Sequence, residues 1–230
     1  MYHKPEIVVM LTYDDMTVSD AAAIFEECKD TPVQYWGFKE KPLPLPKMKA
    51  LFARMKQCGK KTALEVVEYT EPECIQGAMA AVACGCDLLM GTCFFESVSK
   101  ICKENGIRYM PFIGEVSGRP SVLEGSPDAM LAEAQDILAR GADGIDLLGY
   151  RYTGDADALN RRIINGVDAP VCIAGSIDSF ERLDEVLNAA PWSFTIGSAF
   201  FDGRFGETIR AQIERVCKYI DGKFRTGDTT

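Results

Sequence analysis

Histidine is almost missing from this chain: His3 is the single one in 230 residues. A Ser-His-Asp or Cys-His catalytic arrangement has nothing to build on, and neither has a zinc site made of imidazoles. Positive charge is also scarce. The formal net charge of −9 is the opposite of the concentrated basic charge that nucleic-acid binders carry, and it disfavours docking on an anionic membrane. No apolar run is long enough to span a bilayer. The opening Met1-Tyr-His-Lys-Pro-Glu6 lacks the character of a secretion signal. The nine cysteines have no disulfide-framework spacing, and an odd count reads as reduced thiols in a cytoplasmic protein. Cys84 and Cys86 read as small packing groups, and Cys93 has no visible base to activate it. These absences point to a protein without metal or cofactor and without nucleic-acid or membrane partners, and they leave a homo-oligomer open.

What is present is a regular alternation. Apolar β-type runs fall at Ile7–Thr12, Val33–Phe38, Ala63–Tyr69, Cys86–Thr92, Arg108–Ile113, Gly144–Gly149, Val171–Ala174 and Ser193–Ile196. Helical patterns follow at Asp20–Lys29, Pro46–Cys58, Pro72–Cys84, Ser97–Glu104, Pro127–Arg140, Asp157–Asn165, Phe180–Asn188 and Thr208–Tyr219. Ser126 before Pro127 is an N-cap followed by proline at the first helical position. Thr70 and Glu73 have capping-box spacing, and Gly59, Gly85, Gly106 and Gly141 stand where helices should stop. No linker composition interrupts the pattern. The expectation is an α/β protein, a single-domain (β/α)8 TIM barrel over residues 1–230 with a frayed tail at 221–230. Eight units in one compact chain favour the closed barrel over an open sheet. Two connections are long for βα loops: Gly114–Ser126 after the fifth strand and Tyr150–Asp155 after the sixth.

The seventh and eighth strands both end in Gly-Ser, within Ala174-Gly-Ser-Ile177 and Ile196-Gly-Ser-Ala199. At adjacent strand ends of a barrel, such pairs place small residues and bare N–H groups beside helix N-termini, where a phosphate can sit. With these motifs, the chain resembles the ribulose-phosphate-binding barrel superfamily of phosphosugar epimerases, isomerases, decarboxylases and aldolase-like lyases. The resemblance implies a phosphate held by Gly175, Ser176, Gly197 and Ser198, with a short extra helix supplied by Phe200–Gly206. It departs from the metal-dependent pentose-phosphate epimerases, whose paired histidines this chain lacks.

Strand alternation sorts the charges. In the second strand Trp36 and Phe38 suit the helix layer, so Lys39 should point into the barrel. By the same logic Glu65 on the third strand and Asp146 on the sixth point inward, followed by Tyr150. Glu115 and Asp14 lie at strand ends near the mouth and complete the catalytic candidates. Tyr150, Arg151 and Arg119 are the candidates for meeting the substrate. Buried ionisable groups are expensive unless paired, so an inward cluster needs a reason.

Three functions fit this set. One is a metal-independent phosphosugar isomerase or epimerase, with Glu65 as base, Lys39 stabilising an enediolate, and Asp146 orienting Lys39 or relaying a proton. The second is a lyase, an aldolase or decarboxylase, using Lys39 as Schiff-base amine if burial lowers its pKa. The third is a non-enzymatic barrel that senses a phosphorylated metabolite.

Overall fold

The structure, a computed structural model, describes residues 4–225. Eight parallel strands form the barrel: β1 Glu6–Met10, β2 Tyr35–Lys39, β3 Lys61–Val66, β4 Leu88–Gly91, β5 Arg108–Met110, β6 Ile145–Leu147, β7 Val171–Ile173 and β8 Ser193–Ile196. Ladder pairing runs in the order β6-β7-β8-β1-β2-β3-β4-β5. Backbone hydrogen bonds bridge the remaining seam between β5 and β6: the Asp143 N–H donates to the Tyr109 carbonyl at 2.8 Å, and the Asp146 N–H to that of Pro111 at 2.9 Å. Eight long helices surround the ring: α1 Ala21–Cys28, α2 Leu45–Gln57, α3 Glu71–Cys84, α4 Glu96–Glu104, α5 Pro127–Ala139, α6 Ala156–Gly166, α7 Phe180–Ala189 and α8 Ile209–Arg225.

Local chemistry explains several helix ends. The Ser126 hydroxyl accepts the Ala129 N–H at 3.2 Å, and Ser179 and Asp155 cap α7 and α6 the same way. Gly85 terminates α3 in the left-handed conformation. Thr70 and Glu73 do meet, but side chain to side chain, with the Thr70 hydroxyl on Glu73 Oε2 at 2.5 Å in place of a reciprocal capping box. The last helix outruns its expected end at Tyr219 and continues to Arg225, through half of the stretch expected to fray. His3 and residues 226–230 lie outside the described residues.

The barrel has two apolar layers. Outside, Trp36 meets Phe25 edge-on at 5.2 Å and Phe38 stacks on Phe52 at 4.2 Å, tying β2 to α1 and α2. Inside, Val8, Met10, Ala63, Leu88, Met90, Met110 and Cys172 fill the lower barrel. Tyr35 and Trp192 close its base edge to face at 5.5 Å, with the Arg108 guanidinium 5.1 Å from the indole. Above this apolar plug the inward positions turn polar: Lys39 is in register with Glu65, and Asp146 with Cys172.

Two antiparallel pairs decorate the C-terminal end of the barrel strands. Thr12–Tyr13 pairs with Met16–Thr17 directly after β1. The long connection after β5 folds into a second hairpin, Glu115–Ser117 with Val122–Glu124.

Gly37 sits at a tightly packed point of the interior. A Cβ there would lie 2.7 Å from the Ala63 carbonyl oxygen and 2.8 Å from Met10 Sδ. The Gly37→Ala variant is expected to lose roughly 1–3 kcal/mol of stability by overpacking. Urea unfolding at neutral pH measures it, and an unchanged midpoint would contradict the packing described.

Candidate functional site

Two of the charged side chains at the barrel mouth, Asp15 and Lys39, are placed by the backbone around them. Asp14 and Asp15 form the two-residue turn of the first hairpin, with φ of 46° and 60°. A tight hairpin with both central residues at positive φ is a turn that Asp tolerates better than most residues. The turn leaves Asp14 exposed and sends Asp15 inward to burial. Lys39 is fixed by Thr17, whose hydroxyl donates to the Lys39 carbonyl at 2.6 Å and accepts the Lys39 N–H at 2.9 Å.

The result is a buried charge cluster. Lys39 Nζ donates to Glu65 Oε1 at 2.8 Å and to Asp15 Oδ1 at 3.1 Å, and all three side chains are about nineteen-twentieths buried. Arg151 Nη2 reaches the same Asp15 oxygen at 3.2 Å. The other Asp15 oxygen accepts the backbone N–H of Ser121 at 2.8 Å. Burial alone would raise the Asp15 carboxyl, but Lys39, Arg151 and the Ser121 N–H outweigh it and hold Asp15 below the usual carboxylate range. Burial alone would pull Lys39 down, but Glu65 and Asp15 win, so its ammonium is held above the ordinary lysine value. Asp146 lies deeper, fully buried, with no hydrogen-bond partner for either oxygen among the described residues. Burial first, and then the Glu65 charge, push it well above the usual range.

This cluster forms one wall of a cavity of about 170 Å³. The opposite wall is built from the ends of β7 and β8: Gly175, Ser176, Gly197 and Ser198 all line it. Gly175 and Ser176 have φ of 85° and 47°. Among the described residues no acceptor meets their N–H groups. Arg151 lies flat against Gly175, where a Cβ would fall 2.5 Å from Arg151 Cγ. It therefore joins the Gly-Ser wall to the charge cluster, and its Nε has no partner among the described residues. The short helix beside this wall is Ser198–Phe201, starting at the Gly-Ser pair itself rather than within Phe200–Gly206. The left-handed turns at Gly203 and Gly206 break the later stretch. Asp178 and Asp202 form the rim, each with an arginine (Arg182 and Arg204) at 3.9 Å.

Lys39, Glu65 and Arg151 thus face the cavity as expected, and Asp146 lies in the interior beneath it. Four other expectations are corrected. Asp14 is exposed, and its turn partner Asp15 takes the inward place. Glu115 is exposed on the second hairpin and does not line the cavity. Tyr150 belongs to a 3-10 turn, Gly149–Arg151, which ends the strand alternation. Its ring lies under the Arg182 guanidinium at 4.6 Å in the helix layer. Arg119 is committed elsewhere: it donates to the carbonyls of Asp15 at 3.0 Å and Val67 at 2.9 Å and pairs with Glu40. It clamps the second hairpin over the site and does not line the cavity.

Sequence reasoning missed Asp15, Thr17 and Ser121. The Asp-Asp pair between short apolar segments was a readable turn signal for the first. Nothing local marks Ser121, whose partner lies 106 positions away.

By fold, the chain is a (β/α)8 barrel. It superposes on the native KDPGal structure (TM-score 0.71, 14% identity, 97% of this chain and 98% of the other). It also matches orotidine 5'-phosphate decarboxylase from Pyrococcus horikoshii OT3 (0.67, 15%, 94% and 99%). A third match is the N-acetylmannosamine-6-phosphate 2-epimerase from Clostridium perfringens (0.62, 13%, 94% and 93%). In sequence, the chain is 29% identical over 107 residues to the "Putative N-acetylmannosamine-6-phosphate 2-epimerase" of Enterobacter sp. (strain 638), spanning 42% of this chain and 46% of that protein. The aligned part is therefore less than half of that relative's length. No family model matches the chain. Among the described residues no helix is long and apolar enough to cross a membrane.

Removing the Asp15 charge tests the cluster. Asn tolerates the same positive φ, so Asp15→Asn isolates the electrostatics. A carboxylate lowered in the folded state stabilises it above the ordinary Asp pKa, and that contribution fades as pH falls through the lowered value. Asp15→Asn should therefore cost up to roughly 3–5 kcal/mol near neutrality. The difference from the parent should shrink in acid. Thermal unfolding across pH reads this, and a constant difference would contradict the ion pairing.

Proposed function

We propose that this protein is a metal-independent isomerase or epimerase of a small phosphorylated sugar. The observation that carries the reading is that one cavity joins the buried Lys39–Glu65 pair to the Gly-Ser ends of β7 and β8. Buried ion pairs add little to stability compared with apolar packing, so a catalytic use explains their placement better than a structural one. The sequence likeness to a protein named for 2-epimerisation of an N-acylated hexosamine phosphate supports the same class.

In this reading the phosphate rests against Gly175, Ser176, Gly197 and Ser198, with Arg151 beside it. Its binding energy orients the sugar's reacting carbon over the barrel floor. Asp178 and Asp202 accept hydrogen bonds from sugar hydroxyls. Glu65 takes the proton next to the carbonyl: the C–H bond breaks, an O–H forms on Glu65, and the electron pair moves to the carbonyl oxygen. The Lys39 ammonium neutralises that oxyanion. Return of a proton to the carbon completes the reaction.

The lyase alternative is narrowed by the state of Lys39. A Schiff base needs a free amine, and two carboxylates hold Lys39 as the ammonium. A decarboxylation that uses Lys39 as proton donor remains compatible with the same geometry.

Two measurements test the proposal. With N-acylated hexosamine phosphates and simpler phosphosugars in deuterium oxide, the wild type should exchange a substrate proton. Glu65→Gln should lose that exchange by on the order of 10²–10⁴-fold while still binding inorganic phosphate. Equal exchange by both proteins would remove Glu65 from the mechanism. Borohydride added with keto-acid phosphates should leave Lys39 unmodified by mass mapping. A trapped adduct there would establish the Schiff-base lyase instead.

A further inference from the structure

Asp146 is the one inward carboxyl that the charge cluster does not account for. Asp15, Glu65, Lys39 and Arg151 pair among themselves, two negative groups with two positive. An ionised Asp146 would add an uncompensated charge where the protein leaves no solvent exposure, a state that costs several kcal/mol. Its surroundings offer little compensation, and neither of its oxygens has a hydrogen-bond partner among the described residues. From β7, Cys172 stands in register with it, and the next register position is Ser193 of β8, whose hydroxyl is likewise unpartnered among the described residues. From β4, the Gly91 N–H exerts only a weak opposing pull. The charged neighbours are Glu65 of β3 and Lys39 of β2, which act on it in opposite directions. Asp146 does not line the cavity, and the charged groups that act on it, Glu65 and Lys39, do line it.

We propose that Asp146 is a positioning residue: as a neutral acid beneath the cavity floor it leaves Lys39 committed to Glu65 and Asp15, and as an anion it draws the Lys39 ammonium down and away from the reacting oxygen. This inference rests on the reading of Lys39 and Glu65 as the working pair. It assigns the alkaline limit of activity to a group that never touches substrate. Loss of the Asp146 proton is a simple ionisation to solvent base, with no bond to substrate made or broken. Cys172, in register with Asp146, is also titratable, and burial raises its thiol well above the usual range.

Two arms decide it. The first needs no substrate. The infrared difference between wild type and Asp146→Asn at neutral pH should contain the carbonyl band of a protonated carboxylic acid, and that band should disappear as pH rises. Carbon-13 NMR of Asp-labelled wild-type protein follows the same titration if the variant does not fold. Absence of a protonated carboxyl at neutral pH overturns the proposal.

The second arm is the pH profile of substrate proton exchange. Asp146→Asn, which cannot ionise, should lose the alkaline limb, so that activity at alkaline relative to neutral pH rises about tenfold against wild type for each pH unit beyond the limb. An alkaline limb left where it was overturns the positioning role. If no phosphosugar exchanges a proton, the epimerase reading fails, and the spectroscopic titration still decides the state of Asp146.

Discussion

A lysine ammonium wedged between two carboxylates inside a closed ring of strands is the constraint on which the upper half of this molecule depends. Desolvating three charges is unfavourable, and the fold offsets it only through short, directed contacts. Lys39 spans Glu65 and Asp15, Arg151 shares the Asp15 oxygen, and Ser121 donates from the backbone. Several irregular features at this end serve that arrangement. The strained turn at Asp14-Asp15 aims one carboxylate inward. The Thr17 hydroxyl locks the Lys39 backbone, and the second hairpin brings Ser121 across the mouth.

The barrel itself was legible because its signals are local and repeated. Eight alternations, proline and serine at helix starts, and glycine after helix ends all act within a few residues of where they stand. Inward placement of Lys39, Glu65 and Asp146 was legible for the same reason, since Trp36, Phe38, Ile145 and Leu147 had to face helices. Legibility ended where strands ended. Tyr150 was assigned by continuing an alternation that a 3-10 turn had already stopped. Arg119 was read as a free cation because its partners Glu40, Val67 and Asp15 come from other loops. Asp14 and Asp15 differ only in which side of a turn they occupy, and composition cannot distinguish them.

The two walls of the cavity use opposite physics. The floor works by fixed full charges held dry, whereas the Gly-Ser wall offers backbone dipoles and the absence of side chains. At Gly175 the missing Cβ is what lets Arg151 lie against the strand end. The glycine therefore has a packing reason as well as a conformational one, and it links the wall to the floor mechanically. A substitution there would disturb both halves of the site together.

The aromatic pair at the bottom of the ring has a consequence for traffic. Tyr35 against Trp192, with Arg108 over the indole, seals one end of the lumen, and Val8, Leu88 and Met110 are stacked above it. Among the described residues the charged chamber has Asp178 and Asp202 at its rim. Under the proposed reaction, substrate and product share that rim, and turnover is a queue rather than a flow.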